Sequence, residues 1–383
     1  MSDLLGLMRS NGDWIYLLEF MPAGWEEQAW NLGALKRTRE FPNADSLLRT
    51  MLIHLVDGCS LRETAARAKL GGIVSVNDTS LLRRLNQCGE WFRWIAVELM
   101  KNWAVPRANV LSMDVCKKIR LVDATCISEP GSTGTDWRIH YSIDLPDLRC
   151  HQLLVSDQRT GETLKNFIAE KDCLYIGDRG YSHRAGIAHI VKGGGHVMVR
   201  LNTGTLPLKE RLSAEPFDVL KNARSLAPKQ IGDWEVYFES DGERINGRIC
   251  AIRKSEVAAE KARQEILRES SKKQKVVKPE TLEAADYIIV FTTLDSSKIS
   301  SEAVLETYRG RWQVEIAFKR LKSLLEVGHV PQKDPEGAKA WIHGKLLCAI
   351  MIEKLIEAGD SFFPWGFPLS TSKIRTALRM EGD

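Results

Sequence analysis

The sequence predicts an α/β protein with an N-terminal helical domain, a mixed β-sheet and a β-rich insertion domain. Three observations predict this class. Helical periodicity and helix caps dominate residues 1–105, apolar strands and helical segments fill 106–202, and strand patterns dominate 203–300. With 383 residues, the chain is long enough for two or three domains and a large core.

The composition is that of a globular protein whose charge is nearly balanced. The hydrophobic fraction is 44%, and 54 basic against 50 acidic residues give a net charge of +4. This balance permits nucleic-acid binding where basic residues cluster. The eight cysteines form no Cys-X-X-Cys pair, which argues against zinc and predicts reduced thiols in the cytoplasm. The sequence predicts no signal peptide and no membrane span.

Residues 1–105 are predicted to form a helical domain. A capping box at Ser60 opens one helix, a glycine pair closes it, and a second helix begins near Asn77. A short helix, a glycine turn and a second helix carrying Arg83 and Arg84 are typical of a helix-turn-helix DNA reader. An ordinary helical bundle is the alternative.

The next region, 106–202, has the order of elements of the ribonuclease-H-like fold. Three strands joined by short polar turns come first, and crossover units of helix and strand follow. This order predicts a mixed sheet with helices packed on it. The predicted strands are 118–127, 137–145, 150–157, 173–177 and 196–202, and the predicted helices are 161–170 and 183–194.

Residues 203–300 interrupt this order and are predicted to form the β-rich insertion domain. A hairpin is expected around 240–242, followed by a charged helix and a strand at 285–294. The second part of the core is predicted at 301–358, and 359–383 form a C-terminal tail.

A helix is predicted for "YRGRWQVEIAFKRLK", residues 308–322. At about 100° per residue, four polar side chains share one narrow stripe: Tyr308, Arg311, Glu315 and Lys322. Apolar residues on both sides of this stripe predict a mostly buried helix, in which charges are costly unless paired or used. The stripe therefore predicts either an internal ion-pair ladder around Glu315 or a carboxylate at the mouth of an anion-binding site.

Two aspartates stand at special places in the predicted sheet. Asp123 interrupts an apolar strand, and Asp178 follows the end of another. Strand ends near a switch in strand order commonly build active sites. With Glu315 these residues would form a trio of hard oxygen ligands, which suit Mg²⁺ or Mn²⁺, and two such ions serve in-line attack at phosphorus. The trio predicts metal-dependent phosphodiester chemistry.

The polar stripe resembles a known signature. Its residues are separated by two, three and six positions, as in the Y-(2)-R-(3)-E-(6)-K signature of insertion-sequence transposases of the "IS-four" group. Beside the catalytic Glu315, the side chains of Tyr308, Arg311 and Lys322 would bind the phosphates that flank the reacting bond.

The other two blocks of that family's DDE triad are similar to "DAT" at Asp123 and "DRGY" at Asp178. Glu315 follows Asp178 by 137 residues (315 − 178), which resembles the members that carry a β-rich insertion domain before the glutamate. The resemblance covers about residues 110–350.

The resemblance implies a reaction on double-stranded DNA. Two Mg²⁺ ions, for which Mn²⁺ can substitute, would support cleavage at the terminal repeats of the element. The freed 3′-hydroxyl would attack the opposite strand to form a hairpin, and after a second hydrolysis it would attack target DNA. A homodimer would hold two ends and cut each in trans.

Hairpin formation also implies a residue that holds a flipped base. In hairpin-forming relatives a Trp on the last strand of the insertion domain is thought to stack on that base. The matching residue here is Tyr287, and Trp234 is a second candidate. Packing of Tyr287 in a β core is the alternative.

Three other functions are compatible with parts of the pattern. They are a ribonuclease-H-like nuclease without strand transfer, an inactive relative that only binds DNA ends, and a two-carboxylate glycosidase. The intact carboxylate trio argues against the second, and the basic residues beside Glu315 argue against the third.

Overall fold

The computed structural model describes residues 11–101, 116–145, 149–272, 276–312 and 328–361, together with 274, 314–316 and 319. The chain divides into two compact units. One comprises Met1–Ala104, Ile127–Gly134 and Leu321–Asp383, and the other comprises Val105–Cys126 and Thr135–Arg320. The predicted domain boundaries stay a prediction.

The described residues form helices and strands that we number along the chain. The helices are α1 Asn11–Leu18, α2 Trp25–Asn31, α3 Ala44–Asp57, α4 Leu61–Leu70, α5 Asp78–Gln87, α6 Gly89–Lys101, α7 Arg184–Lys192, α8 Val219–Ala223, α9 Glu256–Lys272, α10 Pro279–Ala284, α11 Ser301–Arg309 and α12 Pro335–Ser361. The strands are β1 Lys118–Ile127, β2 Trp137–Leu145, β3 Arg149–Asp157, β4 Cys173–Gly177, β5 His196–Arg200, β6 Lys209–Glu210, β7 Ile231–Ser240, β8 Glu243–Arg253 and β9 Tyr287–Thr292. In the part of the chain that is described, no helix is long and apolar enough to cross a membrane.

Helices build the first unit, and their caps agree with the sequence. The Ser60 hydroxyl accepts a hydrogen bond from the Glu63 N–H at the start of α4. At the start of α5, the Asn77 side chain accepts from the Ser80 N–H. These side chains satisfy backbone donors that the first turn of a helix leaves unpaired, so both predicted helix starts are confirmed.

The segment after Asn77 forms two helices, whereas the sequence predicted a single helix beginning near Asn77. Helix α5 ends at Gln87 and α6 begins at Gly89. A Cβ atom at Gly89 would lie 3.2 Å from the Cα of Ala340 in α12, so the chain is packed backbone to backbone at the break. His343 of α12 reaches the Gly89 carbonyl at 3.1 Å. This tertiary contact ends the helix that periodicity alone would continue.

A mixed sheet forms the second unit, as predicted. The described strands make one nine-stranded sheet in the order β3-β2-β1-β4-β5-β9-β8-β7-β6. Strands β1, β4 and β5 are parallel, whereas β9, β8, β7 and β6 follow as antiparallel neighbours. The strands of 203–300 thus extend the same sheet through β9. The predicted hairpin is confirmed, with Asp241 and Gly242 at positive φ in its turn.

The helix predicted for 161–170 is wrong. The structure has only a 3₁₀ turn at Leu164–Asn166, followed by extended backbone. The side chain of Gln152 donates to the carbonyl of Asn166 at 2.9 Å and accepts from the N–H of Ile168 at 3.0 Å. A neighbouring strand therefore takes up backbone groups that a helix would have paired internally.

The single helix predicted for 308–322 is also wrong in its described part. Helix α11 ends at Arg309, Gly310 and Arg311 form a turn, and helical structure resumes at 312. The described helical residues 312, 314–316 and 319 are called the Glu315 helix. Because of the turn, Tyr308 and Glu315 lie on different helices. Trp312, expected to be buried, is 46% exposed.

A buried arginine ties strand β1 to its neighbours. Arg120 is 1% exposed, and its guanidinium contacts Asp144 at 2.9 Å, Glu170 at 2.7 Å and the Tyr175 hydroxyl at 3.2 Å. Burial disfavours the Glu170 carboxylate, but the hydrogen bonds and charges of Arg120 and Lys118 outweigh this and lower the pKa of Glu170 to about 2. A buried guanidinium is costly unless its partners are in place.

We expect Glu170→Gln to lower the free energy of unfolding at pH 7 by about 1–3 kcal/mol, because Arg120 loses a charged partner. The folded pKa of Glu170 lies below its ordinary value of about 4.3. Its contribution is therefore present above that value and is lost as the pH falls toward 2. Urea denaturation at several pH values measures this.

The matched control is Glu239→Gln, which removes an exposed partner of Lys209 and should change the unfolding free energy by less than about 0.5 kcal/mol. Equal unfolding free energies for the wild type and Glu170→Gln at pH 7 would contradict the role given to this pair.

Candidate active site

Asp123 and Asp178 come together because β1 and β4 are parallel neighbours. The register pairs Lys118 with Cys173 and continues to Leu121 with Ile176. Two further residues along both strands place Asp123 beside Asp178. Neighbouring strands lie about 4.8 Å apart, so the two aspartates, which are 55 residues apart in the sequence (178 − 123), share one edge of the sheet.

The "DRGY" segment folds back on the end of β4. Asp178 caps a 3₁₀ turn at Arg179–Tyr181, and its Oδ1 accepts from the Gly180 N–H at 2.7 Å. A Cβ atom at Gly177 would lie 3.0 Å from the Cβ of Tyr181, so a larger residue at this position would press on the Tyr181 side chain. The cap fixes the Asp178 carboxylate at the strand end.

Asp123 lies in an environment that disfavours its charge. Burial raises the pKa of Asp123 most, and the charges of Asp178 and Glu162 raise it further. The Ala124 N–H, which donates to Asp123 at 2.8 Å, and the charge of Arg311 lower it, and the resulting pKa is about 7. Three acidic groups thus repel one another at this edge, and a cation would relieve that repulsion.

Glu315 is joined to this group through Arg311. Nη2 of Arg311 lies 2.5 Å from Oε1 of Glu315. The structure therefore contains the Arg311–Glu315 part of the predicted ion-pair ladder, while the charge of Arg311 also reaches Asp123. Tyr308 is buried beside Arg311, and this burial chiefly raises the pKa of Tyr308 to about 12. Lys322 lies outside the described residues.

Tyr287 is not placed for base stacking in this structure. It is 4% exposed and belongs to the apolar core beneath the sheet. The alternative that the sequence left open, packing in a β core, describes this residue, because its ring has no free face for a base. Trp234 is partly buried against the same core and lies 6.1 Å from the Phe217 ring.

The two arginines of α5 have different surroundings. Arg84 donates to the Ala34 carbonyl at 3.2 Å and pairs with Glu40 at 3.7 Å, so it holds the helical unit together. Arg83 is exposed. The linker 71–77 before α5 is longer than the three- or four-residue turn of a helix-turn-helix. A DNA contact by Arg83 stays a prediction.

The sequence reasoning missed Glu162 and Tyr181. A Cβ atom at Gly180 would lie 2.7 Å from Oε2 of Glu162 and 3.0 Å from Oδ1 of Asp178, so these oxygens are no more than 5.7 Å apart, the sum of the two distances. The Tyr181 hydroxyl is buried and finds no hydrogen-bond partner in the part of the chain that the structure describes. Tyr181 could have been noticed because it belongs to the "DRGY" block. Glu162 carried no such signal, because it lies in a segment that was predicted only to be a helix.

The residues at this edge fit a divalent cation in kind. Among the described residues, no group of three or more His, Cys, Asp or Glu side chains is arranged as a metal site. The carboxylates of Asp123 and Asp178 nonetheless repel each other, and no described residue pairs with the buried Tyr181 hydroxyl near them. Hard oxygen donors of this type suit Mg²⁺ or Mn²⁺.

Comparison with known proteins agrees with this chemistry. Residues 115–351 match the family described as the transposase DDE domain. The transposase for insertion sequence element IS421 of Escherichia coli is 34% identical over 366 residues, covering 93% of this chain and 97% of the relative. The transposase for IS231F of Bacillus thuringiensis subsp. israelensis is 22% identical, covering 86% and 76%.

A DDE domain implies dependence on a divalent metal, and transposases act on DNA. The family match covers more than half of the chain, and the IS421 relative aligns along almost all of it. This chain therefore belongs to the DDE transposases of bacterial insertion sequences, enzymes that cleave DNA and transfer its strands.

Proposed function

We propose that Asp123, Asp178 and Glu315 are the carboxylates with which this transposase cleaves the ends of its element and joins them to target DNA. The observation that carries the assignment is the parallel register of β1 and β4, which brings the two aspartates to one edge. Arg311 supports it, because its charge acts on Asp123 while its side chain pairs with Glu315.

The same three residues would hold two Mg²⁺ ions, for which Mn²⁺ can substitute. When bound, such ions activate the attacking oxygen and stabilise the leaving oxygen of an in-line displacement at phosphorus. To bind these ions, the Glu315 carboxylate has to leave its ion pair with Arg311. This release needs only side-chain rotation, since Glu315 is about half exposed.

Arg311 then becomes available to DNA. A guanidinium released from Glu315 can bind a phosphate oxygen with two parallel hydrogen bonds. Tyr308, buried beside it, limits where the Arg311 side chain can move. Arrival of the DNA phosphates would thus free Glu315 and fix the scissile bond near Asp123 in one event. Lys322 is proposed as a further phosphate contact from its place in the signature.

The chemical route is proposed from the family signature. Water attacks phosphorus, the P–O3′ bond breaks and a 3′-hydroxyl is released. That hydroxyl attacks a phosphorus of the opposite strand to form a hairpin, and the P–O3′ bond to the flanking DNA breaks with release of its 3′-hydroxyl. A second water opens the hairpin by breaking its P–O3′ bond and frees the 3′-hydroxyl of the element again. This hydroxyl then attacks a phosphorus of target DNA and displaces a 3′-hydroxyl of the target strand. A homodimer holding two ends would let each subunit cut the other's end. The helical N-terminal region, with Arg83 exposed on α5, is the proposed reader of the terminal repeats.

We expect Asp123→Asn, Asp178→Asn and Glu315→Gln each to slow cleavage of terminal-repeat DNA by about 1,000-fold or more. The reason is that each removes a charge from the ion site, and each ~1.4 kcal/mol of lost transition-state stabilisation costs tenfold. Cleavage assays with Mg²⁺ measure this, and gel-shift assays should show end binding largely retained. Glu239→Gln, an exposed acid of the same unit, is the control. Normal cleavage by any of the three variants would refute its assignment.

Arg311→Ala should lower the slope of log K against log salt for DNA binding by about 0.9, since one phosphate contact is lost. Arg309→Ala is the matched control. Arg309 lies two positions before Arg311, is 72% exposed and pairs with Glu306. Fluorescence anisotropy at several salt concentrations gives both slopes. An unchanged slope together with a lower melting temperature in Arg311→Ala would make the Glu315 pair purely structural.

The hairpin route has its own test. Pre-nicked terminal-repeat DNA incubated with the protein and Mn²⁺ should give covalently closed ends that migrate as a single long strand on denaturing gels. Products that stop at a second nick, without closed ends, would contradict the hairpin while leaving strand transfer intact.

A further inference from the structure

The segment that carries Glu162 is held on both sides by strand β2 and the turn after it. Arg138 of β2 donates from Nη1 to the Thr160 carbonyl at 2.5 Å, just before Glu162. The carbonyl of Gly161, the residue directly before Glu162, accepts a hydrogen bond from the Asn166 side chain at 2.9 Å. This bond closes a loop over residues 161–166. The glutamate backbone is therefore fixed, although the segment is not a helix.

Helix α7 supports this segment from below. A Cβ atom at Gly186 would lie 3.0 Å from the Thr163 hydroxyl and 3.1 Å from the Leu164 nitrogen. Such distances are tighter than ordinary van der Waals contact, so the glycine lets helix and segment pack closely. The position of Glu162 is thus set by both the sheet and a helix.

The Glu162 carboxylate turns toward Asp178 and does not close on Arg138. Its Oε1 lies 3.8 Å from Nε of Arg138, which is too long for a hydrogen bond, and that buried nitrogen has no partner within the described ranges. Its Oε2 instead lies over Gly180, where an added Cβ would be 2.7 Å away. A glutamate whose purpose was to neutralise Arg138 would close this gap.

One more polar group lies near these carboxylates. The Tyr181 hydroxyl is buried, finds no hydrogen-bond partner among the described residues, and is acted on by the charges of Asp123 and Glu162. A buried donor without an acceptor costs about 1–3 kcal/mol. A bound ion with its water would satisfy this hydroxyl.

We propose that Glu162 is a fourth carboxylate of the catalytic centre and that its charge strengthens divalent-cation binding beside Asp123 and Asp178 before DNA arrives. The proposal rests on the proposed function of those aspartates. It takes account of the ion pair between Glu315 and Arg311, which engages the Glu315 carboxylate. Asp123, Asp178 and Glu162 are then the acids that face a cation first, and Glu315 completes the site when DNA takes Arg311.

The test measures Mn²⁺ binding to the full-length, DNA-free protein by electron paramagnetic resonance, which counts free Mn²⁺ directly. Glu162→Gln should weaken the binding about 10- to 100-fold, the usual effect of losing an outer partner of a metal site. Glu239→Gln should not change it. Glu162→Gln with the Mn²⁺ affinity of this control would overturn the proposal.

A second variant keeps Glu162 and disturbs only the geometry. In Gly180→Ala the new methyl would stand between the Glu162 and Asp178 oxygens, and Mn²⁺ binding should weaken by a similar factor. Wild-type affinity in Gly180→Ala would likewise overturn the proposal. Circular dichroism in EDTA checks that both variants fold.

Asp123→Asn separates this inference from the proposed function. Loss of Mn²⁺ binding and of cleavage in Asp123→Asn, with full Mn²⁺ affinity in Glu162→Gln, would overturn the inference alone. Normal cleavage by Asp123→Asn would overturn the proposed function itself.

Discussion

The parallel pairing of β1 with β4 is the constraint on which the rest of the site depends. It places Asp123 in the middle of one strand beside Asp178 at the end of its neighbour. Parallel strands need a crossover between them, and here the crossover includes β2, β3 and the segment that carries Glu162. One pairing therefore brings three carboxylates from separate parts of the chain to one edge.

The cost of that arrangement is electrostatic. Burial and the neighbouring charges raise the pKa of Asp123 to about 7, so the protein keeps an acid where ionisation is opposed. Such perturbation is typical of sites that bind cations or perform proton transfer. Arg311 offsets part of the repulsion and also occupies Glu315. The same guanidinium thus connects the charge balance around Asp123 to Glu315 on the following helix.

The beginning of the same strand has the opposite character. Arg120 is enclosed by Asp144, Glu170 and Tyr175, and every contact is short. There the opposite charges are paired and add rigidity, whereas around Asp123 the carboxylates of Asp178 and Glu162 repel it. A strand fixed firmly at its beginning can hold an unfavourable carboxylate three residues further on, which is how strained or repulsive sites persist in folded proteins.

Local sequence determined most of the elements of this protein. The strands β1 to β5, the hairpin at Asp241 and the capped helices follow from alternation, turn residues and caps, which act over a few residues. The spacing that singled out Glu315 and the blocks at Asp123 and Asp178 also lie within short stretches. Only the tertiary structure decided where helices stop and which charges meet. The side chain of Gln152 binds backbone groups of Asn166 and Ile168, so 161–170 is not a helix. The break between two helices at Gly89 lies where the chain packs against Ala340. Glu162 reaches Asp178 for the same reason, because the contact depends on strand pairing and packing between residues that are distant in the chain, which no local pattern records.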